Sequence, residues 1–74
     1  MSQDTWQLTP REMDILALLV KGKSNREIAA DLGLRPNTVK SHLRAVYVKF
    51  GVSNRTQAAM VGVRIFPMLR ELAS

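Results

Sequence analysis

Two copies of one short signature, a hydroxyl residue followed three positions later by glutamate, govern what this chain can fold into. Thr9 precedes Glu12 and Ser24 precedes Glu27, and each pair can exchange hydrogen bonds between side chain and backbone across the first turn of a helix. Pro10 suits the first helical position, where no amide is needed, and Leu8 with Met13 can staple the same start. Ile15, Leu16 and Leu19 then recur at helical spacing until Lys21 and Gly22, a basic last turn and a left-handed stop. The second signature opens a short helix with Ile28, Ala29 and Leu32 on one face and Gly33 as terminator.

Past Gly33, Leu34 and Arg35 complete a tight turn and Pro36 opens a third helix, whose inward residues are Val39, Leu43, Val46 and Phe50, with Gly51 as its stop. Asn54 with Gln57 caps a fourth helix, predicted from Arg55 to about Phe66, where Pro67 interrupts the pattern. No segment alternates as a strand does. The expected fold is all-α, a small four-helix domain containing a helix-turn-helix. Residues 1–7 read as a flexible leader in which Trp6 either folds back or stays exposed, residues 8–66 as the domain, and residues 67–74 as a C-terminal tail.

Seventy-four residues lie near the lower size at which one core holds without disulfides or metal, so every large apolar side chain is needed. Without cysteine there is no disulfide framework and no thiolate zinc site. The longest wholly apolar run, residues 15–20, is far short of a membrane span, and the start of the chain has no basic-then-apolar leader. The expectation is therefore an untargeted, cytoplasmic protein with no membrane partner. A formal charge of +5 favours anionic partners. The charge is also segregated: no acidic residue lies between Asp31 and Glu71, whereas Arg35, Lys40, Arg44, Lys49, Arg55, Arg64 and Arg70 all do.

At 100° per residue, setting Val39, Leu43, Val46 and Phe50 inward turns Asn37, Ser41, Arg44 and Val48 outward, with Lys40 and Tyr47 on one flank and Thr38, His42 and Lys49 on the other. A basic, short-chained helical face of this kind fits the major groove, where Lys and Arg reach guanine acceptors and Ser and Asn bond several base edges. The bland reading is a solvated charged face. The preceding capped helix and tight turn favour the groove, because they make the third helix a protruding element. His42 lacks the second His or Cys that a metal site needs and has no nucleophile beside it. Glu12 reads as a cap and an ion partner for Lys49 or Arg55. No catalytic residue, metal site or cofactor is expected, and the chain does not read as an enzyme.

The fourth helix is apolar on more than one side, with Ala58, Ala59, Gly62 and Phe66 on one arc, Val61 and Ile65 on another, and Met60 and Val63 on a third. This surplus points to a homodimer, with Ala58, Val61, Gly62 and Ile65 as the expected interface and Gly62 as the place where a partner backbone comes close. Docking on another part of a longer chain, or cover from residues 67–74, are the alternatives.

Taken in order, Leu8-Thr9-Pro10-Arg11-Glu12, Gly22 with Ser24-Asn25-Arg26-Glu27-Ile28-Ala29, Thr38-Val39-Lys40-Ser41-His42-Leu43, and Lys49-Phe50-Gly51-Val52 with Arg55 resemble the LuxR-type (GerE-like) helix-turn-helix family of bacterial regulators. The likeness runs from Leu8 to about Ala59. It implies a transcription regulator whose third helix lies in the major groove of double-stranded DNA, with Lys40, Ser41 and Arg44 at base-reading positions, joined by Asn37 from the face reading. It further implies phosphate contacts from Asn25, Thr38, His42 and Lys49, and dimerisation through the fourth helix. Where the family often carries Ser or Thr at the start of the recognition helix this chain has Arg35, which cannot cap in that way but is placed to reach a phosphate. RNA polymerase and an upstream receiver domain, as in response regulators, or an upstream ligand-binding domain stand as candidate partners. Region four of a sigma factor and a helical interaction adaptor remain open as competing readings.

Overall fold

Three of the four helices begin where capping residues place them, and a computed structural model describes the backbone of residues 7–73 and the side chains of residues 7–67. Among these, α1 spans Pro10–Val20, α2 Asn25–Leu32, α3 Pro36–Phe50 and α4 Arg55–Ala73, and no strand is present. Thr9 accepts from the Glu12 amide at 3.1 Å while the Glu12 carboxylate accepts from the Thr9 amide at 2.9 Å; Ser24 and Glu27 repeat the exchange at 3.2 and 2.8 Å. Asn54 caps α4 through a 2.9 Å bond from the Gln57 amide. Gly33 and Gly51 both adopt φ near +68° and +69°, and the following amides, of Leu34 and Val52, reach back to the carbonyls of Ala29 and Tyr47 at 2.9 and 3.0 Å. A side chain at either glycine would strain this left-handed closure.

The four helices enclose one apolar core. α1 lies against α3 and α4, and α2 against α3. Ile15, Leu16, Ile28, Val39 and Val46 are fully buried, with Leu19, Ala29, Leu43, Ala58 and Ile65 completing the cluster. Burying each such aliphatic side chain stabilises by roughly 1.5–3 kcal/mol, which is what fixes α3 on its neighbours. Phe50, assigned inward with Val39, Leu43 and Val46, sits half-buried at the margin of the core. Trp6 lies outside the described residues, so its packing is not part of this picture.

Two expectations for the fourth helix are corrected. Pro67 does not end it: α4 continues to Ala73, so residues 68–73 extend the helix instead of turning back over it. Proline lacks the amide that would bond the Val63 carbonyl, but both Val63 and Pro67 are exposed, which leaves that carbonyl open to water, and the fixed φ of proline is itself helical.

The second correction concerns self-association. Ala58 is 0% and Ile65 4% exposed, so both belong to the core of a single chain. Gly62 is buried against α1: a Cβ there would lie 2.6 Å from Val20 Cγ2 and 3.2 Å from Leu16 Cδ1. Ala58, Gly62 and Ile65 thus form the buried stripe of α4, and what meets Gly62 is the side chains of Val20 and Leu16 in α1. Val61 is half-buried, and among the described residues the large apolar side chains that α4 leaves in water are Met60 and Val63.

Replacing Gly62 with Leu should therefore overpack the α1–α4 contact and cost about 1–3 kcal/mol. Met60→Gln, on the opposite side, should change stability by less than about 0.5 kcal/mol. Urea titrations of the two variants check this; equal small effects would mean that Gly62 does not face α1.

Candidate nucleic-acid interface

α2, the Gly33 turn and α3 form a helix-turn-helix. Ile28 and Ala29 of α2 and Val39, Leu43 and Val46 of α3 share the core, so α3 has one face committed inward and the other free. Asn37, Lys40, Ser41 and Arg44 are all exposed on that outer face, and Val48, 81% exposed, continues it toward the C-terminal end. Val48 lies eleven positions beyond Asn37, a length of about 16 Å at the α-helical rise. Among the described residues the ion pairs are Arg11–Asp14, Lys23–Asp31 and Lys49–Glu12, so Arg35, Lys40 and Arg44 have no acidic partner. Arg35 precedes α3 in extended backbone and makes no side-chain cap, leaving its exposed guanidinium at the entrance of the helix. Thr38 and His42 lie half-buried on one flank.

Lys49 has a different environment from the other cations. Its ammonium donates to Glu12 Oε1 at 2.7 Å and to the Gln7 carbonyl at 3.1 Å, so the partner of Glu12, left open between Lys49 and Arg55, is Lys49. Glu12 therefore caps α1 and ties the start of α1 to the end of α3. Burial pushes the Glu12 carboxyl up, but the Lys49 ammonium and the Thr9 amide outweigh it and hold the group below its ordinary value of 4.5. Two of the three Lys49 donors are thus engaged within the domain. Glu27 is likewise lowered by the Ser24 amide, and Lys23 is raised by its bond to Asp31.

Arg55, expected as an alternative partner of Glu12, instead donates to Asn25 Oδ1 at 2.7 Å and to the Lys23 carbonyl. This bridge from the start of α4 to the start of α2 spans thirty residues and leaves no local spacing signal in the sequence. Among the described residues no group of three potential metal ligands comes together, and no helix is long and apolar enough to cross a membrane.

A helix-turn-helix with a cationic outer face on its second helix defines a class of small DNA-binding domains. Comparison with known proteins assigns the family. The family described as bacterial regulatory proteins, luxR family (GerE) matches residues 6–62, well over half of the chain. The chain is similar to an uncharacterized transcriptional regulatory protein, YhcZ of Bacillus subtilis, at 48% identity over 80% of this chain and 28% of the relative. It is also similar to a probable transcriptional regulatory protein, SgaR of Hyphomicrobium methylovorum, at 50% identity over 78% and 28%. Among solved structures, the transcription factor GerE superposes with a TM-score of 0.71 at 38% identity, covering 78% of this chain and 87% of that one. The chain belongs to the luxR family and is a DNA-binding domain of the transcription-regulator type, not an enzyme. It spans little more than a quarter of the length of these two curated relatives.

The Glu12–Lys49 pair makes a pH-dependent prediction. Because the folded carboxyl titrates below its unfolded value, the stability it contributes is present above about pH 4.5 and is lost as pH falls through the folded value. Lys49→Met should cost about 1–3 kcal/mol at pH 7, where it strands a buried carboxylate. The deficit should shrink at acid pH below the folded value, where Glu12 is protonated in both proteins. A deficit of equal size at both pH values in urea titrations would contradict the assignment.

Proposed function

We propose that this domain binds double-stranded DNA sequence-specifically, with α3 in the major groove, and acts as a dimer on a repeated site. The observation that carries this reading is the outer face of α3, where Asn37, Lys40, Ser41 and Arg44 are exposed together and the two cations have no acidic partner among the described residues. Lys40 and Arg44 are suited to guanine O6 and N7, Ser41 and Asn37 to several base edges. Arg35, Asn25, Thr38 and His42 flank this face and are suited to phosphates. Lys49, with its bonds to Glu12 and Gln7, has one donor left for that role.

The dimer reading moves to the exposed side of α4, where Met60 and Val63 are 58% and 56% exposed and a shallow groove runs past Gly51, Val52, Gln57, Met60, Val61 and Arg64. Apolar side chains set in such a groove suit a second copy better than water. Family membership supports a cytoplasmic regulator whose longer chain carries an upstream receiver or ligand-binding domain and acts on RNA polymerase.

Selection of bound sites from a random duplex pool, followed by titration of variants on the selected site, tests the function. Lys40→Ala or Arg44→Ala should each cost about 1–3 kcal/mol and relax preference at particular base pairs. A uniform loss on all sequences would assign them to phosphates instead. For a dimer neutralising about six to eight phosphates the log–log salt slope should lie near −5 to −7, and a flat response would contradict electrostatic binding. Joint replacement of Met60 and Val63 by Glu should weaken binding to the two-half-site duplex about 100-fold or more, with little effect on a single half-site. Equal losses on both would remove α4 from the dimer contact.

A further inference from the structure

We infer that Arg55 is a positioning residue for DNA binding: it clamps the carbonyl end of the Asn25 amide, so that the amide nitrogen is turned outward as a fixed phosphate donor. This rests on the proposed DNA contact of Asn25 and gives it a mechanism. A guanidinium has only donors, so the Asn25 atom 2.7 Å from Arg55 Nη1 must be the carbonyl oxygen, and the amide orientation is thereby fixed chemically. The other end, Nδ2, has no acceptor among the described residues, and no buried side-chain nitrogen or oxygen lacks a partner there. Nδ2 therefore opens to solvent, with two N–H donors and no acceptor to face an incoming anion.

The second Arg55 nitrogen donates to the Lys23 carbonyl, so a planar fork grips both side chain and backbone at the entrance to α2. Arg55 lies five residues past the end of α3. Its grip thus tethers Asn25 to the segment that follows the recognition helix, while Arg35 stands at that helix's start. Without the fork the Asn25 amide is free to rotate and to present its carbonyl, which repels a phosphate oxygen. A lysine cannot replace it, because one ammonium does not match two acceptors in that planar arrangement.

The test is a double-mutant cycle on one half-site of the duplex selected from the random pool, with thermal unfolding measured alongside. Asn25→Ala should weaken binding about tenfold, the value of one hydrogen bond to a charged acceptor, equally on all sequences. Arg55→Met should weaken it by a similar factor in the wild-type background and by less than about twofold in the Asn25→Ala background. Asn25→Asp should bind more weakly than Asn25→Ala, since it keeps the bond to Arg55 but turns a second anionic oxygen outward. Ethylation interference should identify one phosphate whose modification hinders wild-type binding and ceases to matter in both Asn25→Ala and Arg55→Met. If Arg55→Met fails to fold, Arg55→Lys replaces it in the same cycle. Additive losses, or interference unchanged in the Arg55 variant, overturn the positioning role and leave the DNA-binding proposal standing. Absence of wild-type binding even at low salt overturns both.

Discussion

The burial of one stripe of α3, Val39, Leu43 and Val46, against α1 and α2 is the contact on which everything else depends. A helix turns 100° per residue, so fixing these three side chains inward fixes the direction of every other side chain on α3. The exposed row of Asn37, Lys40, Ser41 and Arg44 is a geometric consequence of that burial. The same contact explains how so small a chain presents a rigid surface: the two capping boxes and the left-handed glycines define helix ends, while the apolar stripe defines rotation.

Polar contacts then set the two ends of the frame. Glu12 joins the cap of α1 to Lys49 near the end of α3, and Arg55 joins the start of α4 to the start of α2. Each links segments distant in sequence, and each draws a charged or polar group that would otherwise face solvent into the scaffold. The cations on the outer row of α3 are left out of these pairings among the described residues, which keeps their charge available to an anionic partner.

The helix starts were legible because Thr9, Ser24 and Asn54 bond to residues three positions away, and the stops at Gly33 and Gly51 because a left-handed residue is nearly a glycine signature. The inward and outward faces of α3 were legible for the same reason, since periodicity is local. The fourth helix was misread where local rules do not decide. Its small residues were assigned to a partner, yet Gly62 meets Val20 and Leu16 of the same chain; sequence shows that a close approach is possible, not which helix makes it. Pro67 was read as a stop, whereas an exposed proline late in a long helix loses one hydrogen bond without ending it. The choice of Lys49 over Arg55 for Glu12, and of Asn25 for Arg55, is set by tertiary packing across 37 and 30 residues and has no pattern to read.

The central claim is that the outer row of α3 faces base edges in the major groove. Dimethyl sulfate distinguishes the grooves on one duplex, because it methylates guanine N7 in the major groove and adenine N3 in the minor. With the domain bound to its selected site, the account predicts protection of guanine N7 within each half-site, lost at specific guanines when Arg44 is shortened. Protection confined to adenine N3, or none at either position under saturating protein, would contradict it.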